Sequence, residues 1–231
     1  MPPTNTVNES EWRLAMPDGV SFHTHRMALH SDIGTKSGRE RLDRDLDLAF
    51  DMLKPAAPDV IAYACTAGSM VNPVGALPDA LRARHGIEAV TTSAAVIAAL
   101  KALGAVKLSV ATPYGQALNR HEMTFLEANG FRIQRIAGLG IGESGPSEYP
   151  RIARTTLEDV RAHAIATFVP GSDALVLLCT DFPTQALITD LEAHLGVAVV
   201  TSNQATLWAC LRAAGITDAP RDHGRLAEIQ A

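Results

Sequence analysis

The 231-residue sequence predicts an α/β protein built of two similar lobes, each with a mostly parallel sheet. Three observations lead to this prediction. Short apolar runs alternate with amphipathic stretches along the chain, which is typical of a sheet flanked by helices. Apolar residues make up 47% of the sequence, which is enough for a large core. Segments of the first half recur in the second half, which indicates duplicated architecture.

The predicted elements follow the apolar runs and the helix-ending residues between them. Strands are expected near residues 20–26, 59–65, 87–91, 106–111, 131–136, 173–179 and 197–201. One helix is expected from Ser93, as its capping residue, to Leu103, with Gly104 just beyond it. Further helices are expected to begin near Gly115, Pro183 and Asn203, and the charged stretch 36–47 is expected to be a solvated helix face.

The internal repeat places a cysteine turn in each half. DVIAYACTAGS, which contains Cys65, recurs as DALVLLCTDFPT, which contains Cys179. TTSAAVIAALKALG recurs as SNQATLWACLRAAG, and PPTNT near the start recurs as ATPYG at residues 111–115. We therefore expect two Rossmann-like lobes, residues 1–104 and 105–231, related by a pseudo-twofold axis, with the last helix packing back on the first lobe. The two cysteine turns then face each other across the cleft between the lobes.

The repeat also predicts that the first lobe lacks its opening strand. ATPYG is preceded by the strand VKLSVA, whereas PPTNT is preceded only by Met1. Losing a strand from an α/β sheet uncovers apolar surface and unpaired backbone groups. We therefore expect the native chain to begin before Met1.

Charge and composition exclude several classes of function. Twenty basic and 25 acidic side chains give a formal charge of -5 without a basic run, so a nucleic-acid partner is not expected. The chain lacks a stretch of roughly 18 apolar residues and a signal peptide, so we expect a cytoplasmic protein with free thiols and no membrane partner. GIGESG at 140–145 is expected to be a loop and not a nucleotide-binding turn, so no cofactor is predicted. His23 and His25 have no third metal-ligating residue nearby, so no metal is predicted.

Cys65 and Cys179 are the candidate catalytic residues. Each ends an apolar strand and enters a turn at the sheet edge where open α/β folds bind ligands. The N–H groups at the start of a following helix stabilise an anion, so they can lower the pKa of a thiol and bind a carboxylate. Cys210 lies within the apolar face of a helix, and it is expected to pack in the core.

These segments resemble the aspartate/glutamate racemase superfamily, and most closely its maleate cis-trans isomerase and arylmalonate decarboxylase-like branch. The resemblance spans nearly the whole chain. It rests on PPTNTVNE at 2–9, GVSFHTHRM at 19–27, AYACTAGS at 62–69, ATPYG at 111–115, the Cys-Thr turn at 179–180 and VVTSNQATLWACLRAAGI at 199–216.

The resemblance implies a cofactor-independent isomerisation of a small dicarboxylate, maleate to fumarate, by a homo-oligomer. Cys65 would be the nucleophile, and Cys179 would donate and accept a proton. Asn5 and Tyr114 match family positions that hold substrate carboxylates. Backbone N–H groups in the two cysteine turns would assist them, at Thr66, Ala67 and Thr180.

Other activities of the same scaffold stay open at this point. Asp181 stands where glutamate racemases have histidine, which argues against amino-acid racemisation. Arylmalonate decarboxylases keep only the second cysteine, so the presence of Cys65 favours chemistry with two thiols. The alternatives are an amino-acid or hydantoin racemase, an arylmalonate-type decarboxylase and a non-catalytic sensor of small acids.

Overall fold

The computed structural model describes residues 1–30, 32, 35–221 and 223–229. It has the predicted α/β architecture, and every strand pair that it describes is parallel. No helix in the described part of the chain has the length and apolarity needed to cross a bilayer.

The strands form two sheets. In the first sheet, β1 (Val60–Tyr63) pairs with β2 (Glu88–Thr91). The second sheet has the order β4-β3-β5-β6, formed by β3 (Lys107–Tyr114), β4 (Arg132–Ile141), β5 (Ala174–Leu177) and β6 (Ala198–Thr201). The two central strands of this sheet are almost wholly buried on both faces, which explains why their sequences are nearly continuous apolar or small residues.

Helices pack around both sheets. They are α1 (Val7–Ala15), α2 (Lys36–Leu53), α3 (Thr66–Ser69), α4 (Ala76–His85), α5 (Thr92–Ala102), α6 (Gln116–Ala128), α7 (Leu157–Thr167), α8 (Ile188–Leu195), α9 (Ser202–Ala213) and α10 (Gly224–Ala227). Single-turn or longer 3₁₀ segments cover Lys54–Ala56, Pro146–Arg154 and Gln185–Leu187.

Helix α9 links the second half of the chain to the first. It lies against α5 and against both strands of the β1–β2 sheet, and the Thr206 hydroxyl donates to the Thr92 hydroxyl at 3.1 Å. The largest buried apolar cluster contains residues from both halves, among them Leu100, Val176 and Leu207. Cys210 belongs to this cluster, as its position in the sequence predicted.

Two predicted helix starts are wrong by a few residues. Helix α5 is capped by Thr91, whose hydroxyl accepts from the Ala94 N–H, because the Ser93 hydroxyl instead donates to the Ser69 carbonyl. The helix predicted near Pro183 begins at Ile188, because the preceding segment forms a turn and then 3₁₀ geometry.

The strand predicted at residues 20–26 is not assigned as a strand. A strand is defined by a ladder of bonds to a neighbour, and the described ladder at this segment is one residue long. The Met1 amino group donates to the His25 carbonyl, and the Met27 N–H donates to the Met1 carbonyl, both at 3.0 Å. The apolar pattern predicted an extended segment, but it could not show whether a partner strand lies beside it.

Candidate active site

A cleft of about 870 Å³ opens at the carboxyl ends of β1, β3 and β5, and residues that follow these three strands line it. The cleft brings together all seven residues that the sequence suggested: Asn5, Cys65, Thr66, Ala67, Tyr114, Cys179 and Thr180. Within each sheet the parallel strands end at the same edge, and α9, which contacts strands of both sheets, holds the two edges at one cavity.

The Cys65 turn presents a half-buried sulfur with two donors beside it. Cys65 caps α3, and its sulfur accepts hydrogen bonds from the Gly68 N–H and the Tyr63 hydroxyl. A Cβ added at Gly68 would lie 2.5 Å from the Tyr63 oxygen and 2.9 Å from the Cys65 sulfur. Glycine is therefore required for this close approach of backbone to sulfur.

The Cys179 turn has an unusual backbone. Its φ is 122°, a left-handed conformation that side-chain-bearing residues rarely adopt. The Asp181 N–H donates to the Cys179 sulfur at 3.3 Å, and the Tyr114 hydroxyl also donates to it. Strained backbone at a buried, hydrogen-bonded thiol is typical of a functional site rather than of core packing.

Ser202, the first residue of α9, connects the two cysteine turns. Its hydroxyl accepts from the Cys179 N–H at 3.0 Å and lies 2.9 Å from the hydroxyl of Thr66, the neighbour of Cys65. The Thr180 hydroxyl donates to the Ala64 carbonyl at 3.4 Å, which forms a second link between the turns.

Helix α1 supports the second turn from the other side. The Asn5 amide donates to the Thr180 hydroxyl at 2.9 Å. The Asp181 carboxylate accepts from the N–H groups of Thr6 and Val7 at the start of α1. Glu11, also on α1, accepts from the Thr184 N–H at 2.6 Å. The loop after Cys179 is therefore held by backbone and side-chain bonds from the first half of the chain.

Burial raises the pKa of both cleft thiols, contrary to the lowering that the sequence suggested. At Cys65 the rise is opposed by the Gly68 N–H, the Tyr63 hydroxyl and the positive Met1 amino group. At Cys179 burial raises the pKa further, against donors from Tyr114 and Asp181. The expected helix effect is weak, because α3 has four residues and no helix begins directly after Cys179.

The core thiol behaves differently from the two cleft thiols. Burial raises the pKa of Cys210 to about 12, and no group is found to oppose the rise. Hydrogen-bond donors therefore distinguish Cys65 and Cys179 from a cysteine that only fills space.

The sequence did not single out Tyr63, Gly68 and Tyr149, which line the cleft, or Ser202, which contacts both cysteine turns from behind it. Tyr63 and Gly68 flank Cys65 within its own turn, so their proximity to the sulfur could have been suspected. Ser202 follows β6 directly, but its contact with Cys179 depends on how two strands lie side by side. Glu122 on α6 is a further buried group, and burial raises the pKa of its carboxyl well above the usual range.

No group of three or more metal-ligating side chains occurs among the residues that the structure describes. The loop predicted at GIGESG is confirmed for residues 142–145, whereas Gly140 and Ile141 form the end of β4.

Comparison with known proteins places this geometry beside enzymes that act on dicarboxylates. A family model described as arylmalonate decarboxylase matches residues 1–227. The maleate isomerase of Nocardia farcinica is 28% identical over 98% of this chain and 92% of its own. The arylmalonate decarboxylase of Bordetella bronchiseptica is 34% identical over 61% of this chain and 57% of its own.

Solved structures agree with both similarities. The maleate cis-trans isomerase of Nocardia farcinica, as a cysteine-to-serine mutant with a covalently bound succinylcysteine intermediate, superimposes with a TM-score of 0.87 at 25% identity, over 100% of this chain and 96% of that chain. An arylmalonate decarboxylase superimposes with a TM-score of 0.84 at 25% identity, over 100% and 97% of the two chains.

Replacement of Tyr63 by Phe should slow the alkylation of Cys65 by iodoacetamide about tenfold or more near pH 7. Loss of a hydrogen bond to a charged group costs about 1.5–3 kcal/mol, and about 1.4 kcal/mol corresponds to one pKa unit. Peptide mass mapping measures the rate at each cysteine. Tyr149→Phe is the control, because Tyr149 lines the cleft but is not found to donate to either thiol among the described contacts. Wild-type Cys65 should also react faster than Cys210, and equal rates at the two would count against the assigned donors.

Replacement of Cys179 by Gly should leave the protein about 1–2 kcal/mol more stable than replacement by Ala, because glycine adopts a left-handed backbone without steric cost. Urea denaturation of both variants measures the difference. Cys210 is the control, and the expected difference there is reversed. Because Cys210 lies inside α9, the Cys210→Gly protein should be about 1 kcal/mol less stable than the Cys210→Ala protein. A Cys179→Gly variant no more stable than Cys179→Ala would show that the turn is not strained.

Proposed function

The chain belongs to the arylmalonate decarboxylase family, and we propose that within it the protein is a maleate cis-trans isomerase that uses two cysteines and no cofactor. The observation that carries this proposal is the presence of two hydrogen-bonded thiols, Cys65 and Cys179, in one cleft. Similarity to maleate isomerases over nearly the whole chain supports it.

The first half of the reaction forms a covalent adduct. The Cys65 thiolate supplies an electron pair to one alkene carbon of maleate, and a C–S bond forms. The π electrons move to the neighbouring carbon, which takes the proton of the Cys179 thiol. The products are a succinyl group on Cys65 and a thiolate at Cys179. A structure of the Nocardia farcinica enzyme, as a cysteine-to-serine mutant, contains a covalently bound succinylcysteine intermediate of this kind.

The second half of the reaction reverses these steps after a rotation. The former double bond is now a single bond, so the two carboxylates can turn to opposite sides. The Cys179 thiolate removes a proton from the carbon that received one, the double bond re-forms as trans, and the C–S electron pair returns to Cys65. Fumarate leaves, and both sulfurs regain their starting protonation.

The surroundings of the two thiols support this division of roles. Cys65 is the more exposed of the two cysteines, and the hydrogen bonds from the Gly68 N–H and the Tyr63 hydroxyl favour its negative charge. Cys179 is more deeply buried, and the negative charge of Asp181 further raises its pKa. The thiol that ionises more readily suits the nucleophile, and the thiol that keeps its proton suits the acid.

We propose that neutral hydrogen-bond donors bind the substrate carboxylates. Asn5 and Tyr114 line the cleft and are buried, and burial keeps the pKa of the Tyr114 hydroxyl well above its usual range. Both groups donate hydrogen bonds without competing for the proton that the thiols exchange, and the single Tyr114 O–H turns from the Cys179 sulfur to the carboxylate when substrate binds. The backbone N–H groups of Thr66, Ala67 and Thr180 complete the proposed set.

The setting of the enzyme is part of the proposal. Three free thiols in a chain with no membrane-spanning helix among its described residues are consistent with a reducing cytoplasm.

We also propose a homo-oligomer, and a division of the chain into two lobes between residues 104 and 105. Light scattering coupled to gel filtration tests the oligomer, and a monomer at micromolar concentration would contradict it.

Replacement of Cys65 by Ala should abolish the conversion of maleate to fumarate, because the proposed nucleophile that carries the adduct is lost. Cys179→Ala should reduce kcat by about 10²–10⁴-fold, which is typical for loss of a positioned acid and base. Loss of maleate absorbance and chromatography of fumarate measure the turnover. Cys210→Ala is the matched control and should keep near wild-type activity.

Arylmalonate, aspartate and glutamate serve as competing substrates in the same assay. Turnover of one of these by the wild-type protein without turnover of maleate would replace isomerisation with decarboxylation or racemisation. Maleate binding without turnover of any compound would indicate a sensor.

The value of kcat/KM for maleate should rise with pH from about pH 6 to above pH 8, since burial raises the pKa of Cys65 above the ordinary thiol value of about 8.5. The thiolate is then the minor form at neutral pH, and its fraction increases as pH rises. Tyr63→Phe should move this ascending limb to higher pH. A flat or falling profile over this range would contradict the assignment of Cys65 as a nucleophile that ionises before attack.

A further inference from the structure

Glu122 is a buried carboxyl group that the proposed mechanism does not use. It lies on α6, it is wholly buried, and neither of its carboxyl oxygens has a hydrogen-bond partner among the described residues. The other buried carboxyls in the described part of the chain, Glu11, Asp181 and Glu192, each accept at least two backbone N–H bonds. A buried polar group without a partner lowers stability, and an apolar side chain would avoid this cost. A carboxyl at such a position points to a function rather than to core packing.

Glu122 lies behind the wall of the active-site cleft. It is one helical turn from Leu118, which lines the cleft and packs against the apolar cluster that contains Tyr114 and Cys179. In the other direction along α6 it is one turn from Phe125, which belongs to the largest buried cluster. Glu122 therefore sits between the two clusters, on the protein side of the cleft.

Two contacts hold α6 beside the segment that follows the first cysteine turn. The His121 ring nitrogen Nε2 lies 3.4 Å from the Ala67 carbonyl oxygen, and the Asn129 amide donates to the Asn72 side chain at 3.1 Å. His121 immediately precedes Glu122 in the helix. The position of the Glu122 backbone relative to this segment is therefore fixed by α6.

The charge of Glu122 reaches three groups of the cleft at once. Burial is the largest cause of the raised pKa of Cys65, Cys179 and Tyr114, and the negative charge of an ionised Glu122 raises the pKa of all three further. Among the described residues no other carboxyl is found to act on both sulfurs. Burial also raises the pKa of Glu122 itself well above its usual range, so the carboxyl keeps its proton to higher pH than an exposed glutamate.

No positively charged group among the described residues is found to offset the burial of Glu122. Helix α6 packs against α3, β3 and β4, and α3 carries no titratable side chain. Strand β3 brings Tyr114 to the cleft end of the sheet. The other titratable side chains on these two strands and on α6 lie at the surface or at the cleft: Lys107, Arg120, His121, Glu127, Arg132 and Arg135.

We propose that Glu122 is a positioning residue that acts on the two cleft thiols together. While Glu122 holds its proton, each sulfur ionises as its own burial and donors dictate. Once Glu122 is ionised, both sulfurs hold their protons to higher pH. The inference rests on the proposed roles of Cys65 as nucleophile and Cys179 as acid, since it keeps the acid protonated while the nucleophile becomes a thiolate.

Replacement of Glu122 by Gln keeps the shape of the side chain and removes its ionisable proton. Alkylation by iodoacetamide over a range of pH, followed by peptide mass mapping, measures the rate at each cysteine. The ratio of the variant rate to the wild-type rate at Cys65 should grow from about one near pH 6 to about tenfold above pH 9, because a like charge nearby disfavours the thiolate. Cys179 should respond in the same direction, and Cys210, for which burial is the cause found, should not respond.

Two further variants separate charge from structure. Glu122→Leu also lacks the charge and should give the same dependence of the ratio on pH, which provides a second test if the amide is poorly tolerated. Glu127→Gln is the matched control, because Glu127 is exposed on the same helix. A ratio that is the same at every pH would assign Glu122 a structural role only, and a response at one cleft sulfur alone would contradict joint action. Either result would overturn the proposal.

Urea denaturation tests whether the folded carboxyl is neutral. The unfolded side chain ionises near the ordinary glutamate pKa of about 4.3, whereas the folded one keeps its proton, so the wild type should lose stability relative to Glu122→Gln as the pH rises. The ratio of the two unfolding equilibrium constants should grow about tenfold per pH unit above about pH 5, until the folded carboxyl ionises. A constant ratio between pH 5 and 8 would also overturn the proposal. These readouts do not involve maleate, so wild-type turnover tests the proposed isomerase activity separately.

Discussion

The site depends on the hydrogen bonds that hold two sequence-distant cysteine turns at one cleft. Ser202 accepts from the Cys179 backbone and lies against the hydroxyl beside Cys65, so this side chain and the Thr180–Ala64 bond together set the position of one turn relative to the other. Ser202 is itself fixed because it opens α9, whose start is closed by reciprocal bonds between Thr201 and Gln204. The placement of the sulfurs thus follows from how α9 begins, and α9 is also the helix that packs the two halves together.

Burial and hydrogen bonding act on the thiols in opposite directions. A cleft that excludes water raises the pKa of each thiol, which suits a proton donor but not a nucleophile. The donors around Cys65 partly restore its acidity, whereas at Cys179 burial, aided by the negative charge of Asp181, outweighs the donors from Tyr114 and the Asp181 N–H and keeps the proton on the sulfur. The same kind of turn, repeated in both halves, therefore yields two thiols of different character. An isomerase needs this difference, because one sulfur must attack while the other delivers a proton.

The sequence predicted the α/β architecture from its apolar pattern and the two cysteine turns from their repeat, whereas Asn5 and Tyr114 came from the family resemblance, and the roles of all these residues stay predictions. The recurrence of a strand ending in Cys-Thr predicted that the two turns would face each other across one cleft, and periodicity located most strands and helices. The sequence could not predict the contacts between turns that are distant along the chain. The bond from Ser202 to Cys179 depends on strand order, and the cap at Thr91 depends on where Ser69 lies. The extended segment at residues 20–26 had the pattern of a strand, but a ladder needs a neighbour that a local pattern cannot supply.

The most direct test of the account is to identify the sulfur that carries the substrate. Incubation of Cys179→Ala with maleate, in which water supplies the proton that Cys179 would give, followed by acid quenching and peptide mass mapping, should reveal a succinyl group on Cys65 and none on Cys210. The Cys65→Ala variant, treated in the same way, should remain unmodified. A succinyl group on Cys179 in the latter variant, or unmodified cysteines in both variants under conditions where the wild type turns over, would contradict the central claim that Cys65 adds to the alkene while Cys179 handles the proton.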